Sequence, residues 1–107
     1  FTQGENIGDL AGIVIAYKAY QLSKKGKATP VIDALTGDER FFYGWGTIWG
    51  AKSTDEQMIR QIKTDPHSPG EFRANGPLVN MPEFLDVFGV SADDGMYVDP
   101  EKRIKIW

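Results

Sequence analysis

The stretch Leu10-Ala11-Gly12-Ile13-Val14-Ile15-Ala16 constrains this chain more than any other. It lies inside a segment from about Glu5 to Lys25 that reads as one helix, stopped by Gly26, a residue suited to a left-handed cap. A helix that is apolar all round must be enclosed on every side. At 107 residues the chain amounts to one domain, and a domain of that size buries only about two-thirds of its unfolded surface. Too little material remains to wrap such a helix, so the pattern implies partner structure beyond these residues. The longest apolar run, Leu10 to Tyr17, is far too short to span a bilayer.

The remainder reads as three further helices and no repeat, linker or low-complexity segment. Thr36-Gly37-Asp38-Glu39 forms a capping box ahead of a helix through Phe41, Phe42, Trp45 and Trp49. Ser53, with Glu56 completing a second box, opens a helix to about Lys63. Asn80-Met81-Pro82-Glu83 opens a short helix that ends at Gly89. Between the third and fourth lies a long polar loop punctuated by Pro66, Pro69, Gly70, Gly76 and Pro77. The tail from Met96 is irregular until Arg103-Ile104-Lys105-Ile106-Trp107, a short strand or an extended arm ending in a packed indole. The expected class is therefore mainly α.

Composition excludes several functions. A net charge of −3 leaves no electrostatic footprint for nucleic acid. Lys24-Lys25-Gly26-Lys27 is read as a solvated helix end, where cations suit the macrodipole. With no cysteine, disulfides and thiolate metal sites are both ruled out. No signal peptide is visible in a chain that begins at Phe1 rather than at methionine.

Two short stretches hold the candidate chemistry. In Gly4-Glu5-Asn6-Ile7-Gly8-Asp9 the two carboxylates stand one helical turn apart and share a face. Acidic residues in a first helical turn are commonplace, but a carboxylate leading into buried helix needs a partner. A metal ligand with a second acid behind it is one solution. The other stretch, Thr64-Asp65-Pro66-His67-Ser68-Pro69-Gly70-Glu71-Phe72-Arg73, contains the only histidine. A lone loop histidine is usually structural, yet prolines on both sides restrict the backbone at this imidazole. Neither stretch is a complete catalytic set, so the expected site has its other half elsewhere.

These residues also match a family. Glu5-Asn6-Ile7-Gly8-Asp9 resembles the E-N-x-x-D element of the neprilysin family of zinc metallopeptidases. Asp65-Pro66-His67-Ser68-Pro69 through Arg73 resembles that family's D-x-H-S-P-x-x-x-R segment, and Pro100-Glu101-Lys102 with Trp107 resembles its P-E-K-x-x-x-x-W ending. Gly50, Val90 and Ile104 stand where vertebrate members carry cysteines, as in the bacterial branch. The family's H-E-x-x-H helix is absent from this chain.

The resemblance implies a role for each residue. Glu5 would be the third zinc ligand, completing a His₂Glu set, and Asp9 would orient a zinc-bound histidine. His67, oriented by Asp65, would stabilise the oxyanion of an attacked peptide carbonyl. Arg73 would hold a substrate carbonyl, while Ile48 and Trp49 would form the apolar wall for the side chain after the scissile bond. Residues 1–107 would then be the C-terminal portion of a thermolysin-like (zincin) catalytic domain, inactive alone and extracytoplasmic in its parent. Its partners would be a peptide substrate and the missing N-terminal part of the enzyme. Self-association is expected through a face bearing Glu5, Asp9 and Ile13. A non-catalytic helical binding module that keeps the fold stays open as the alternative.

Overall fold

A computed structural model describes residues 1–106. Five α-helices follow in order: α1 Gln3–Ser23, α2 Gly37–Ile48, α3 Asp55–Thr64, α4 Gly70–Leu78 and α5 Pro82–Phe88. A single turn of 3₁₀-helix, Pro100–Lys102, precedes the tail. Among the described residues the only β-pairing is an isolated bridge, Ile32 with Leu35. The mainly α class is thus observed.

Local signals explain most boundaries. Thr36 accepts from the Glu39 amide and its own amide donates to the Glu39 carboxylate, the expected capping box. Gly26 takes φ +74° just beyond α1, and Gly89 takes φ +62° at the end of α5. The cap of α3 sits one residue later than expected: Thr54 pairs with Gln57, not Ser53 with Glu56. Both pairs satisfy the same S/T-x-x-E/Q pattern, and nothing local separates them.

The fourth expected helix is α5, and the stretch read as one polar loop contains a helix of its own. Pro69 caps α4 from outside, where a missing amide costs nothing. Pro77 falls in its last turn and is buried together with Leu78. Packing against α1 outweighs the breaker signals of Gly70, Gly76 and Pro77, as tertiary context often does. Trp45 Nε1 donates to the Ala74 carbonyl at 3.1 Å and ties α2 to this helix.

The core joins Ile13 and Tyr17 of α1, Phe42 of α2, Leu78 of α4, Met81, and Phe84 and Leu85 of α5. Phe42 stacks on Tyr17 at 5.1 Å and meets Phe84 edge-on at 5.4 Å, geometries that add to simple area burial. Lys24 and Gln21 at the end of α1 both donate to Asp38 Oδ1 at 3.0 Å, fixing the start of α2.

Only one side of α1 is covered. Leu10, Ile13 and Tyr17 are buried, while Ile7, Ile15 and Leu22 stay exposed. Ile13 therefore does not belong to the exposed face on which the sequence placed it: it is 1% accessible and central to the core. A single layer of short helices can cover only one stripe of a 21-residue helix.

The tail forms no strand among the described residues. It runs as an extended arm held by Ile104 N–H on Asn80 Oδ1 at 2.7 Å and by Arg103 Nε on the Val98 carbonyl. The packed indole expected of Trp107 lies outside the described residues.

Because Phe42 touches aromatic rings from α1 and α5, Phe42→Ala is expected to cost about 3–5 kcal/mol. Urea unfolding of the chain measures it. A loss below about 1 kcal/mol would show that this ring is not central to the core.

Candidate functional site

Glu5 stands in the first turn of α1, and the loop between α3 and α4 brings His67 to it. His67 Nε2 lies 3.1 Å from Glu5 Oε2, and Nδ1 lies 2.6 Å from Asp65 Oδ1. The His67 amide donates to that same Asp65 oxygen at 2.9 Å, so Asp65 holds both backbone and ring of one residue. Those two bonds, the amide first, set the Asp65 carboxyl below its ordinary range. The imidazole and the Glu5 carboxylate are each about half exposed, at 40% and 47%, and face an open edge of the molecule.

One turn along α1, Asp9 is held by a different partner. Arg73 Nε and Nη2 donate to its two oxygens at 2.7 Å each, a fork-to-fork pair in a largely covered position, 17% and 11% accessible. The Asp9 bond is the main reason the guanidinium is held above its ordinary range. The Arg73 guanidinium also lies 4.0 Å from the centroid of the Trp49 ring.

Asp9 and Arg73, read from the sequence as serving different partners, are thus bonded to each other. The pairing uses two of the five guanidinium donors and leaves carboxylate lone pairs free on Asp9, so neither is exhausted. Trp49 and the exposed Ile48 border a groove of about 580 Å³ with Met58, Ile62, Phe72 and Arg73.

Three contacts around the loop were not read from the sequence. Ser68 Oγ donates to Asn6 Oδ1 at 2.8 Å. Gln61 Nε2 reaches the carbonyls of His67 and Ser68, each at 3.4 Å. Gly70 lies so close to α2 that a Cβ there would stand 2.8 Å from the Trp49 carbonyl, which is the reason for glycine at that position. The E-N-x-x-D and H-S-P patterns did contain Asn6 and Ser68, but without a reason to pair them.

The model of Peptidase family M13 matches residues 1–104. The chain belongs to this family. Neprilysin-3 of Drosophila melanogaster is 36% identical over 99% of this chain, and neprilysin of Homo sapiens is 39% identical over the same share. In each case this chain covers only 14% of the relative. Zinc metalloprotease Zmp1 of Mycobacterium tuberculosis is 52% identical in two structures. The open state superposes with a TM-score of 0.96 and the inhibitor complex with 0.97. Each covers all of this chain, which corresponds to 17% and 16% of those chains. The fold is that of the helical C-terminal part of an M13 peptidase domain, and the chain spans about a seventh of the curated relatives it matches.

Among the described residues no group of three His, Asp or Glu side chains is placed to hold a metal ion. Glu5 nevertheless suits one end of such a site: its carboxylate is accessible, sits at an open edge, and has the paired Asp9 one turn behind it.

The lowered Asp65 carboxyl gives a pH dependence with a definite sign. Its contribution is fully present above the ordinary carboxylate pKa and is lost as pH falls through the lowered value. His67 is the only histidine, so its signals are unique, and its amide is expected to lose protection from exchange over that acidic range. In Asp65→Asn the acid-induced step should be absent. NMR-detected hydrogen exchange checks it, and a step that survives the substitution would assign the effect to another group.

Proposed function

We propose that residues 1–107 are the C-terminal portion of the catalytic domain of a neprilysin-like zinc metalloendopeptidase acting on oligopeptides. One observation supports this above the rest. Glu5, His67 and Asp65 meet at an open edge, beside the groove bordered by Arg73 and Trp49. Family membership and the Zmp1 likeness supply the reaction class.

In this reading Glu5 would hold zinc together with two histidines from the rest of the parent, and the metal would supply Lewis-acid chemistry toward the peptide carbonyl. Asp9 uses its remaining lone pairs to orient one of those histidines, with Arg73 keeping the carboxylate in place. Asp65 fixes the ring of His67, whose Nε2 is on the Glu5 side and donates to the carbonyl oxygen as negative charge grows there. The guanidinium donors of Arg73 not used by Asp9 bind a substrate backbone carbonyl. Ile48 and Trp49 receive an apolar side chain in the groove. The parent is placed outside the cytoplasm, in keeping with the neprilysin resemblance.

In the zinc-loaded parent, Glu5→Gln should lose metal and activity together. His67→Ala should keep the metal and lower kcat by about 10²–10³. Arg73→Ala should chiefly raise KM. The isolated chain should not hydrolyse a fluorogenic peptide with added zinc, since it supplies one ligand of three and no general base. Chelator-sensitive hydrolysis by the chain alone, or loss of metal in His67→Ala, would overturn these assignments.

Without the rest of the parent, the uncovered side of α1 carries Ile7, Ile15 and Leu22, at 44%, 53% and 78% accessible. Apolar surface of this kind drives association. Self-association of the isolated chain through this face is expected, and light scattering at several concentrations measures it. A strict monomer would show that the face tolerates water.

A further inference from the structure

Ser68 is the one buried polar or charged residue among the described residues apart from the aromatic core, at 8% accessible. A buried hydroxyl needs a partner, and this one finds it far away in the chain: Ser68 Oγ donates to Asn6 Oδ1 at 2.8 Å across 62 residues. Ser68 directly follows His67, and Asn6 directly follows Glu5. The bond therefore ties the residue after the histidine to the residue after the glutamate. Asn6 has a local alternative, since a short amide in a first helical turn readily bonds nearby backbone. It reaches the loop instead.

The other ties from this loop run elsewhere. Asp65 belongs to the loop itself, Gln61 reaches it from α3 at 3.4 Å, and Gly70 abuts Trp49 at the end of α2. Among the described residues, the direct polar contacts between the loop and the first turn of α1 are the Ser68–Asn6 bond and the His67–Glu5 contact. The latter is half exposed on both sides, and exposed pairs of this kind hold little by themselves.

We propose that Asn6 and Ser68 are positioning residues, whose bond sets the distance and angle between the His67 ring and the Glu5 carboxylate. The proposal deepens the reading of His67 as an oxyanion donor and rests on it for its kinetic consequences. Asn6 touches no substrate in this scheme. It acts through Ser68, and Ser68 acts through the backbone of His67.

The test is made in the zinc-loaded parent enzyme. Asn6→Ala and Ser68→Ala are each expected to lower kcat about tenfold, the effect of one lost hydrogen bond, with KM and bound zinc unchanged. Asn6→Asp retains the accepting oxygen and should recover most of the loss. The double variant should lose no more than either single one, because both remove the same bond. Unchanged kcat, loss of zinc, or additive losses overturn the proposal. A second readout is independent of turnover: the His67 amide should exchange about tenfold faster in Asn6→Ala than in the parent protein. Unchanged exchange overturns the positioning role whatever the kinetics show. His67→Ala with intact turnover would instead overturn the oxyanion reading and leave the exchange result standing.

Discussion

The bidentate pair between Asp9 and Arg73 is the strongest polar tie between the two helices that frame the site. Arg73 stands in the first turn of α4, and Asp9 stands two turns into α1, so the pair locks the start of one helix onto the other. The loop from Asp65 to Pro69 enters α4 directly, so the lock brings it close to α1, where the Ser68–Asn6 bond holds it. Trp49 on the guanidinium and the close approach at Gly70 add the end of α2 to the same junction. Burying two charges is costly, and two parallel charge-assisted hydrogen bonds with a ring over the cation are the compensation this chain supplies.

That lock helps bring together residues 62 to 64 positions apart in sequence, across the rest of α1, α2 and α3. The chain has no sheet among its described residues to act as a platform, and α3 and α4, which flank the site loop, are short. Positional accuracy comes instead from polar contacts at element ends: Asp65 at the end of α3, Asn6 and Glu5 in the first turn of α1, Arg73 in that of α4. Element ends carry free backbone groups and short polar side chains, so they are natural places for such contacts. The apolar core lies to one side, around Ile13, Phe42 and Phe84, and its task is to keep α1, α2 and α5 stationary.

Much of this was legible in the residues, for identifiable reasons. Capping boxes, Gly26 and Gly89 are local signals, and they marked α1, α2 and α5 to within a residue or two. The α3 cap slipped by one residue because Ser53 and Thr54 offer equivalent boxes. The whole of α4 was missed because its stability is not local: two glycines and Pro77 argue against a helix, and burial of Pro77 and Leu78 in the packed helices decides otherwise. The family resemblance implied that the two motif stretches belong together, and they do meet. The pairing of Asp9 with Arg73 was not legible, because a motif match says nothing of which of its residues bond. Ile13 was misplaced for a related reason: a helix apolar on all sides carries no stripe to mark the side that turns inward.

The same uniformity of α1 bears on what the rest of an M13 peptidase must supply. An amphipathic helix would need only the layer formed by α2, α4 and α5. This one is apolar on the covered side, through Leu10, Ile13 and Tyr17, and also on the open side, through Ile7, Ile15 and Leu22. Apolar surface on both sides is costly in water unless both are packed. Glu5 is accessible at one end of the helix, with its supporting Asp9 already engaged behind it. One element thus carries the strongest demand for further packing and the candidate ligand that lacks companions. Under the proposed function, a single docking event would meet both needs, covering α1 and bringing further metal ligands beside Glu5.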